Sequence, residues 1–193
     1  ASLASMAADT EKLRQETVSQ INELKKSEKL KKLELEQLKA GNKAYPSYLE
    51  EARSYLQRRL LEETGKGVDV YILADLLEVK NDQWRNAIEG YLGGNKLNLV
   101  VAPKYAKTAL SIYRELDKKK FWNIAVLDTE KAAGYDNDAL KGSLAEEVSV
   151  RETYLKPYMN LLLGKVIKCN TIEELQANAI GITPDCLLYH TFR

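Results

Sequence analysis

From residue 9 to residue 40 the chain has no glycine, proline or aromatic side chain, and Glu, Lys, Leu and Gln, all good helix formers, dominate it. Leu13, Ile21, Leu24, Leu30, Leu33 and Leu38 mark its apolar positions, at a three–four spacing that slips around Ser27. Glu28 and Lys32 stand one turn apart in the favourable acid-before-base order. So thin an apolar stripe does not hold a long helix on its own. The pattern therefore predicts a partner helix, as in a coiled coil; the competing reading is a solvated helix packed on its own domain. Lys25, Lys26, Lys29, Lys31 and Lys32 read as the solvated face of this arm, and the Ala- and Ser-rich first eight residues as a frayed end outside the fold.

Gly, Asn and Pro within 41–46 break the helix. A second helix is expected over 47–63, with Tyr48, Ala52, Tyr55, Leu56 and Leu60 near one face. Gly65-Lys66-Gly67 ends it, which draws the predicted domain boundary between an arm of 1–64 and a globular part of 65–193. Beyond that boundary the pattern is α/β, or more broadly α+β. Strands are expected at 68–73, 97–101, 122–127, 165–169 and 186–189. Helices are expected at 82–91, at 103–119 with Pro103 in the first turn, at 152–162, and at 171–179, which opens on a capping box of Thr171 and Glu174. Residues 129–142 read as a polar loop.

The globular part repeats itself. The stretch 73–93 aligns with 144–164 at a constant offset of 71 residues. Five of 21 positions are identical: Leu73/Leu144, Ala74/Ala145, Val79/Val150, Leu92/Leu163 and Gly93/Gly164. Asp75/Glu146, Leu77/Val148, Lys80/Arg151, Arg85/Lys156 and Ile88/Met159 keep their chemistry. Each copy then continues into a β-branched strand, a helix and a second apolar strand. The expectation is two similar subdomains, about 65–130 and 143–193, related by an approximate twofold axis within one chain.

Charge narrows the functional classes. The net charge is +1. Residues 1–62 hold 12 Lys+Arg against 10 Asp+Glu, and 63–193 hold 17 against 18, so nucleic-acid contact would have to come from local clusters. The best is Lys118-Lys119-Lys120 at the end of a predicted helix, with Lys104 and Lys107 at that helix's start. Lysine at a helix C-terminus is favoured by the dipole alone, yet three in a row could neutralise phosphates without reading sequence. No apolar run approaches the ~20 residues needed to span a bilayer, and two cysteines, Cys169 and Cys186, suit a reduced, cytoplasmic setting.

Catalytic chemistry finds little purchase. Thr64-Gly65-Lys66-Gly67 lacks the first glycine and the hydroxyl of a phosphate-binding loop. The single histidine, His190, precludes multi-histidine metal sites. Asp136, Asn137, Asp138 and Glu147 mimic part of a calcium loop, but Leu140 and Lys141 occupy positions that need an oxygen ligand and a glycine. No catalytic, cofactor or metal residue is expected. An α/β enzyme or small-ligand domain with a helical extension remains the alternative, since such folds host many chemistries.

The order Gly67-Val68-Asp69-Val70-Tyr71, Ala74-Asp75-Leu76-Leu77-Glu78-Val79, Ala87-Ile88-Glu89-Gly90-Tyr91-Leu92-Gly93-Gly94 and Leu99-Val100-Val101 resembles the first half of the SMC hinge, and residues from Leu144 onward its second half. The helical arm and the segment 45–60 resemble the MukB-like branch, including the Wadjet plasmid-defence condensins. This resemblance implies a hinge that joins coiled-coil arms of a chromosome-organising or plasmid-restricting ATPase. It implies homodimerisation, non-specific DNA contact, kleisin-type partner subunits, no cofactor, no membrane, and a nucleoid-associated place in the cytoplasm. ATP hydrolysis would belong to head domains outside this sequence. Gly90, Gly93, Gly94 and Gly164 stand where the family carries hinge glycines. A further glycine-rich motif after the last strand and a returning arm are not in this sequence, which implies weaker dimerisation for this stretch alone.

Overall fold

The computed structural model describes residues 3–39, 45–136 and 138–191. Most of the expected break at 41–46, Asn137, and the side chains of Leu30, Leu33 and Leu38 lie outside the described residues. Two compact units result, Ala1–Ser47 and Tyr48–Arg193.

The first unit is α1, Leu3–Lys39. It begins six residues earlier than expected, because Ala-rich sequence propagates a helix rather than fraying it. Glu28 and Lys32 form the expected ion pair at 2.6 Å. Leu13, Ile21 and Leu24 are 62%, 44% and 68% exposed.

The second unit starts before the expected boundary. Helix α2, Ser47–Thr64, buries Leu49, Ala52, Leu56 and Leu60 completely, a one-face stripe at helical spacing. Its links reach residues 115–123. Arg59 pairs with Glu115 at 3.0 Å, Lys120 pairs with Glu51, and the Asn123 amide donates to the Tyr48 hydroxyl at 2.7 Å. By packing, α2 thus belongs to the globular unit rather than to the arm.

The repeat is visible element by element. In the first copy a 3₁₀ turn (Leu73–Leu76), β2 (Leu77–Val79), a 3₁₀ turn (Asp82–Trp84) and α3 (Arg85–Leu92) follow one another. In the second, a 3₁₀ turn (Leu144–Glu147), β4 (Val148–Val150), a 3₁₀ turn (Thr153–Leu155) and α6 (Lys156–Leu163) do so, every boundary shifted by 71 residues. Strands β2 and β4 pair antiparallel, Leu77 with Val150, Glu78 with Ser149 and Val79 with Val148. Exchanging the copies maps this register onto itself, so the pseudo-twofold axis passes through the Glu78/Ser149 pair. The flanking bonds obey the same exchange: Lys80 N–H donates to Glu147 O and Arg151 N–H to Leu76 O, both at 2.8 Å. One hydrophobic core, including Leu73, Leu76, Ile88, Leu144, Leu155, Met159 and Leu163, runs across both copies.

Each copy continues into a small sheet. In the first, β1 (Tyr71–Ile72) pairs antiparallel with β3 (Leu99–Val100), and Leu99 pairs in parallel with Val126. In the second, Ser143 bridges β5 (Ile167–Lys168), which pairs in parallel with β6 (Ile180–Ile182), and β7 (Leu188–His190) adds antiparallel to β6. Helix α4, Ala106–Glu115, and the shorter α7, Ile172–Gln176, occupy equivalent crossovers.

Three expectations change here. The strand expected over 122–127 is a single bridge at Val126. Its counterpart in the second copy is β6, which begins just past the expected helix over 171–179, and not the strand near 186–189. Within the supposed polar loop, Thr129–Ala133 forms α5, capped by the Asp128 carboxylate accepting from Lys131 N–H at 3.1 Å.

Candidate functional site

The small sheets of the two copies end differently, and each leaves main-chain groups unpaired at one edge. Strand β7 has β6 on one side only. Thr183 N–H donates to Leu187 O at 3.0 Å and Thr191 N–H to Ala179 O at 3.5 Å. Alternation in an antiparallel ladder then leaves Leu188 and His190 with N–H and C=O directed away from β6. Leu187 and Leu188 are 49% and 43% exposed. An edge with outward main-chain groups and apolar side chains is a template for another strand.

In the first copy, residues 124–126 take the place of β6. Leu99 N–H donates to Ala125 O at 2.8 Å and Leu127 N–H to Leu99 O at 2.9 Å, so Val126 directs its own N–H and C=O away from β3. Among the described residues no strand of this copy stands where β7 stands in the other. Neither edge was singled out in the sequence. The open side of Val126 emerges only when the two copies are compared.

The lysine cluster lies in a segment that the second copy lacks. The connection 101–125 is about twice as long as its counterpart 169–180, and the extra length is the end of α4 and the turn that follows. Lys118 is tied down: its ammonium donates to Tyr113 O at 2.9 Å and lies 3.6 Å from the Tyr113 ring centre. Lys120 is held by Glu51. Lys119 is exposed, its backbone N–H bound to Asp117 Oδ1 at 2.9 Å. Lys104 and Lys107 are exposed at the start of the helix, Lys104 over the Tyr105 ring at 4.9 Å. All five lysines are exposed, but among the described residues only Lys118 and Lys120 have an ammonium hydrogen bond or ion pair, and the turn's charge is partly spent on docking α2 through Lys120.

The glycines serve different ends. Gly90, Gly93 and Gly94 are exposed. Gly93 has φ +51°, a conformation that disfavours any Cβ. Its repeat partner Gly164 has ordinary φ, but a Cβ there would lie 2.3 Å from Asn160 O and 3.0 Å from Ala139 Cα.

A charged clasp stands in the second copy where the first has Val100 and Leu76 and keeps only Asp75, the counterpart of Glu146, as a charge. Lys168, the counterpart of Val100, bonds Glu147 and lies 3.3 Å from Glu146, which also accepts from Gly142 N–H at 2.9 Å. That backbone bond, with Lys168, holds the Glu146 carboxyl below its usual range. Burial works against the Lys168 charge, yet Glu147 and Glu146 outweigh it and raise the ammonium above its usual range. Cys169 is buried and Cys186 exposed, both as free thiols, and burial pushes the Cys169 thiol up. His190 is exposed on β7. Among the described residues no cluster of His, Cys, Asp or Glu is arranged to hold a metal, and no helix is long and apolar enough to cross a membrane.

Comparison with known proteins converges on one family. A family model described as the SMC proteins flexible hinge domain matches residues 66–179, more than half of the chain. Among solved structures, the chain is similar to an asymmetric dimer of the Geobacillus stearothermophilus SMC hinge domain. The identity is 17%, the match covers 96% of this chain and 77% of that one, and the TM-score is 0.56. It is similar to a Pyrococcus furiosus Smc hinge domain with an extended coiled coil at 23% identity, covering 98% and 70%, with a TM-score of 0.51. It is also similar to the folded elbow of cohesin at 15% identity, covering 97% and 29%, with a TM-score of 0.55. At these identities the structures speak for the fold. No curated protein matches significantly. With the duplicated unit and the family match together, the chain belongs to the SMC hinge domain family.

Proposed function

We propose that this chain is a dimerisation hinge rather than a catalyst, and that two copies join by adding β7 of one to the open edge beside Val126 of the other. The observation that carries the reading is the pair of unlike open edges, one on each pseudo-symmetric copy. A twofold dimer uses both edges twice and leaves neither exposed. If β7 stays in its own sheet, only Leu188 or His190 has main-chain groups free to face Val126. Proline at 188 removes an outward N–H and none of the bonds to β6. Light scattering should therefore find the native chain dimeric and Leu188→Pro monomeric, with the thermal melt of the fold retained. A native chain that stays monomeric at high concentration overturns the reading.

On the same reading the hinge touches DNA without sequence preference, through Lys104, Lys107 and Lys119. These three have no ammonium hydrogen bond or ion pair among the described residues, while Lys118 and Lys120 do. Charge reversal at the three should flatten the salt dependence of DNA binding by about 0.9 in slope for each phosphate no longer neutralised. Reversal of Lys120 should chiefly disturb the docking of α2 through Glu51, and reversal of Lys118 the turn it closes on Tyr113. ATP hydrolysis, kleisin-type partners, and a chromosome-organising or plasmid-restricting role at the nucleoid belong to the longer protein that this reading implies. The resemblance of 45–60 to the MukB-like and Wadjet branch supports that assignment.

A further inference from the structure

The open edge of the first copy is closed from within the chain on both sides of Val126. By sheet position Leu99 corresponds to Ile167, because their bridge partners Ile72 and Ser143 are repeat partners. Val126 then stands where Gly181 stands, Ile124 where Ala179 stands, and Asp128 where Thr183 stands. In the second copy β7 serves the two outer positions: Ala179 O accepts from Thr191 N–H, and Thr183 N–H donates to Leu187 O. In the first copy a side chain and a helix serve them. The Tyr113 hydroxyl, near the end of α4, donates to Ile124 O at 2.7 Å. Asp128 opens α5, its C=O accepting from Ala132 N–H at 2.9 Å and its carboxylate from Lys131 N–H at 3.1 Å.

Carbonyls alternate along a strand, and Ala125 O accepts from Leu99 N–H, so Ile124 C=O is directed the same way as Val126 C=O. A strand that pairs with Val126 therefore brings its neighbouring outward N–H to Ile124 O, where the Tyr113 hydroxyl already sits. Ile124 N–H is spent as well, on Phe121 O at 3.2 Å. The side chains of Ile124 and Val126 are buried, so main chain is what such a strand would bind. Exposed edges are commonly blunted against uncontrolled pairing, and here one hydroxyl does it. The ring that carries it is held separately, under the Lys118 ammonium, which also donates to Tyr113 O.

We propose that Tyr113 is a stop on this edge: it narrows the site for β7 of a second copy to Val126 and so sets how tightly two copies join. The proposal rests on the edge-pairing reading of the dimer. Tyr113→Phe removes the hydroxyl, keeps the ring under Lys118 and frees Ile124 O for an amide of the partner copy. One added main-chain bond should make the dimer about fivefold tighter by sedimentation equilibrium. The variant monomer, melted at high dilution, should be no more stable than the native monomer. Adding Leu188→Pro should abolish the gain. A tyrosine with a merely structural role would lower the melt and leave the affinity unchanged or reduced. That result, with a native dimer, overturns the stop and leaves the edge pairing standing. A native monomer whose Tyr113→Phe variant dimerises supports the stop and overturns the native dimer. Two monomers overturn both. A gain that survives Leu188→Pro overturns the proposal too, because the freed carbonyl then serves some other strand.

Discussion

The two copies inside the second unit share a backbone and divide the work. Over 73–92 and 144–163 every helix and strand boundary coincides after the shift of 71, and the β2–β4 register is symmetric about Glu78/Ser149. Outside that frame they part. The first copy lengthens its crossover into α4 and a lysine turn, and receives α2 there. The second keeps a short α7 and adds β7. One copy carries the docked helix and an unfilled sheet position, and the other carries the strand that would fill it. On the proposed reading, a duplicated frame serves as a joint because its copies are no longer interchangeable.

The sharpest way to break the comparison is at the paired glycines. Gly164→Ala pushes a Cβ into backbone at 2.3 Å and should cost about 3 kcal/mol or more in urea unfolding, within the range seen when packed sites are overfilled. Gly93→Ala meets no atom within 4 Å but keeps φ +51° with ψ −129°, outside the left-handed helical region, and should cost about 1–3 kcal/mol of backbone strain. Equal losses would mean the two sites are constrained alike.

Next comes the contrast of α2 with α1. Leu60→Ala, at a fully buried site, should destabilise by about 3 kcal/mol. Leu24→Ala on α1 should shift stability by less than about 0.5 kcal/mol.

Smaller effects probe how the copies are filled. Ser143 is fully buried with an unbonded hydroxyl, where the first copy has Ile72. Removing an unsatisfied buried hydroxyl is favourable, so Ser143→Ala should stabilise by about 1 kcal/mol. The clasp should show as a pH dependence. Glu146 is depressed in the folded state, so its contribution is present above the unfolded carboxylate range and is lost as the pH falls through the folded value. Lys168→Met should make that acid limb shallower in denaturation curves without abolishing it, because the bond from Gly142 N–H to Glu146 remains.

Much of this fold is legible in the sequence. The 71-residue repeat, Pro103 opening a helix, and the Thr171 cap accepting from Glu174 N–H at 3.2 Å are all local or periodic signals. The strand β6 was hidden because Gly181 interrupts its apolar run. Its missing side chain is a packing requirement, since a Cβ would meet Cys169 Sγ at 2.9 Å and Leu175 Cδ2 at 3.0 Å. Helix α5 had a legible cap in Asp128, masked by polar composition. The docking of α2 depends on Glu115, Lys120 and Asn123, which lie 56, 69 and 75 residues from their partners in sequence, and no local pattern announces such pairings. The same holds for the lysines, whose number was plain but whose prior engagement by Tyr113 and Glu51 was not.

The central claim, that the two unlike edges are one interface, is tested most directly by amide hydrogen exchange followed residue by residue across a dilution series. If β7 of one copy closes the edge at 124–126 of another, the Val126 amide and the outward amides of Leu188 and His190 slow together as the concentration rises. The Tyr189 amide, already directed at β6, stays slow throughout. Val126, Leu188 and His190 amides that exchange as fast at the highest concentration as at the lowest would contradict it.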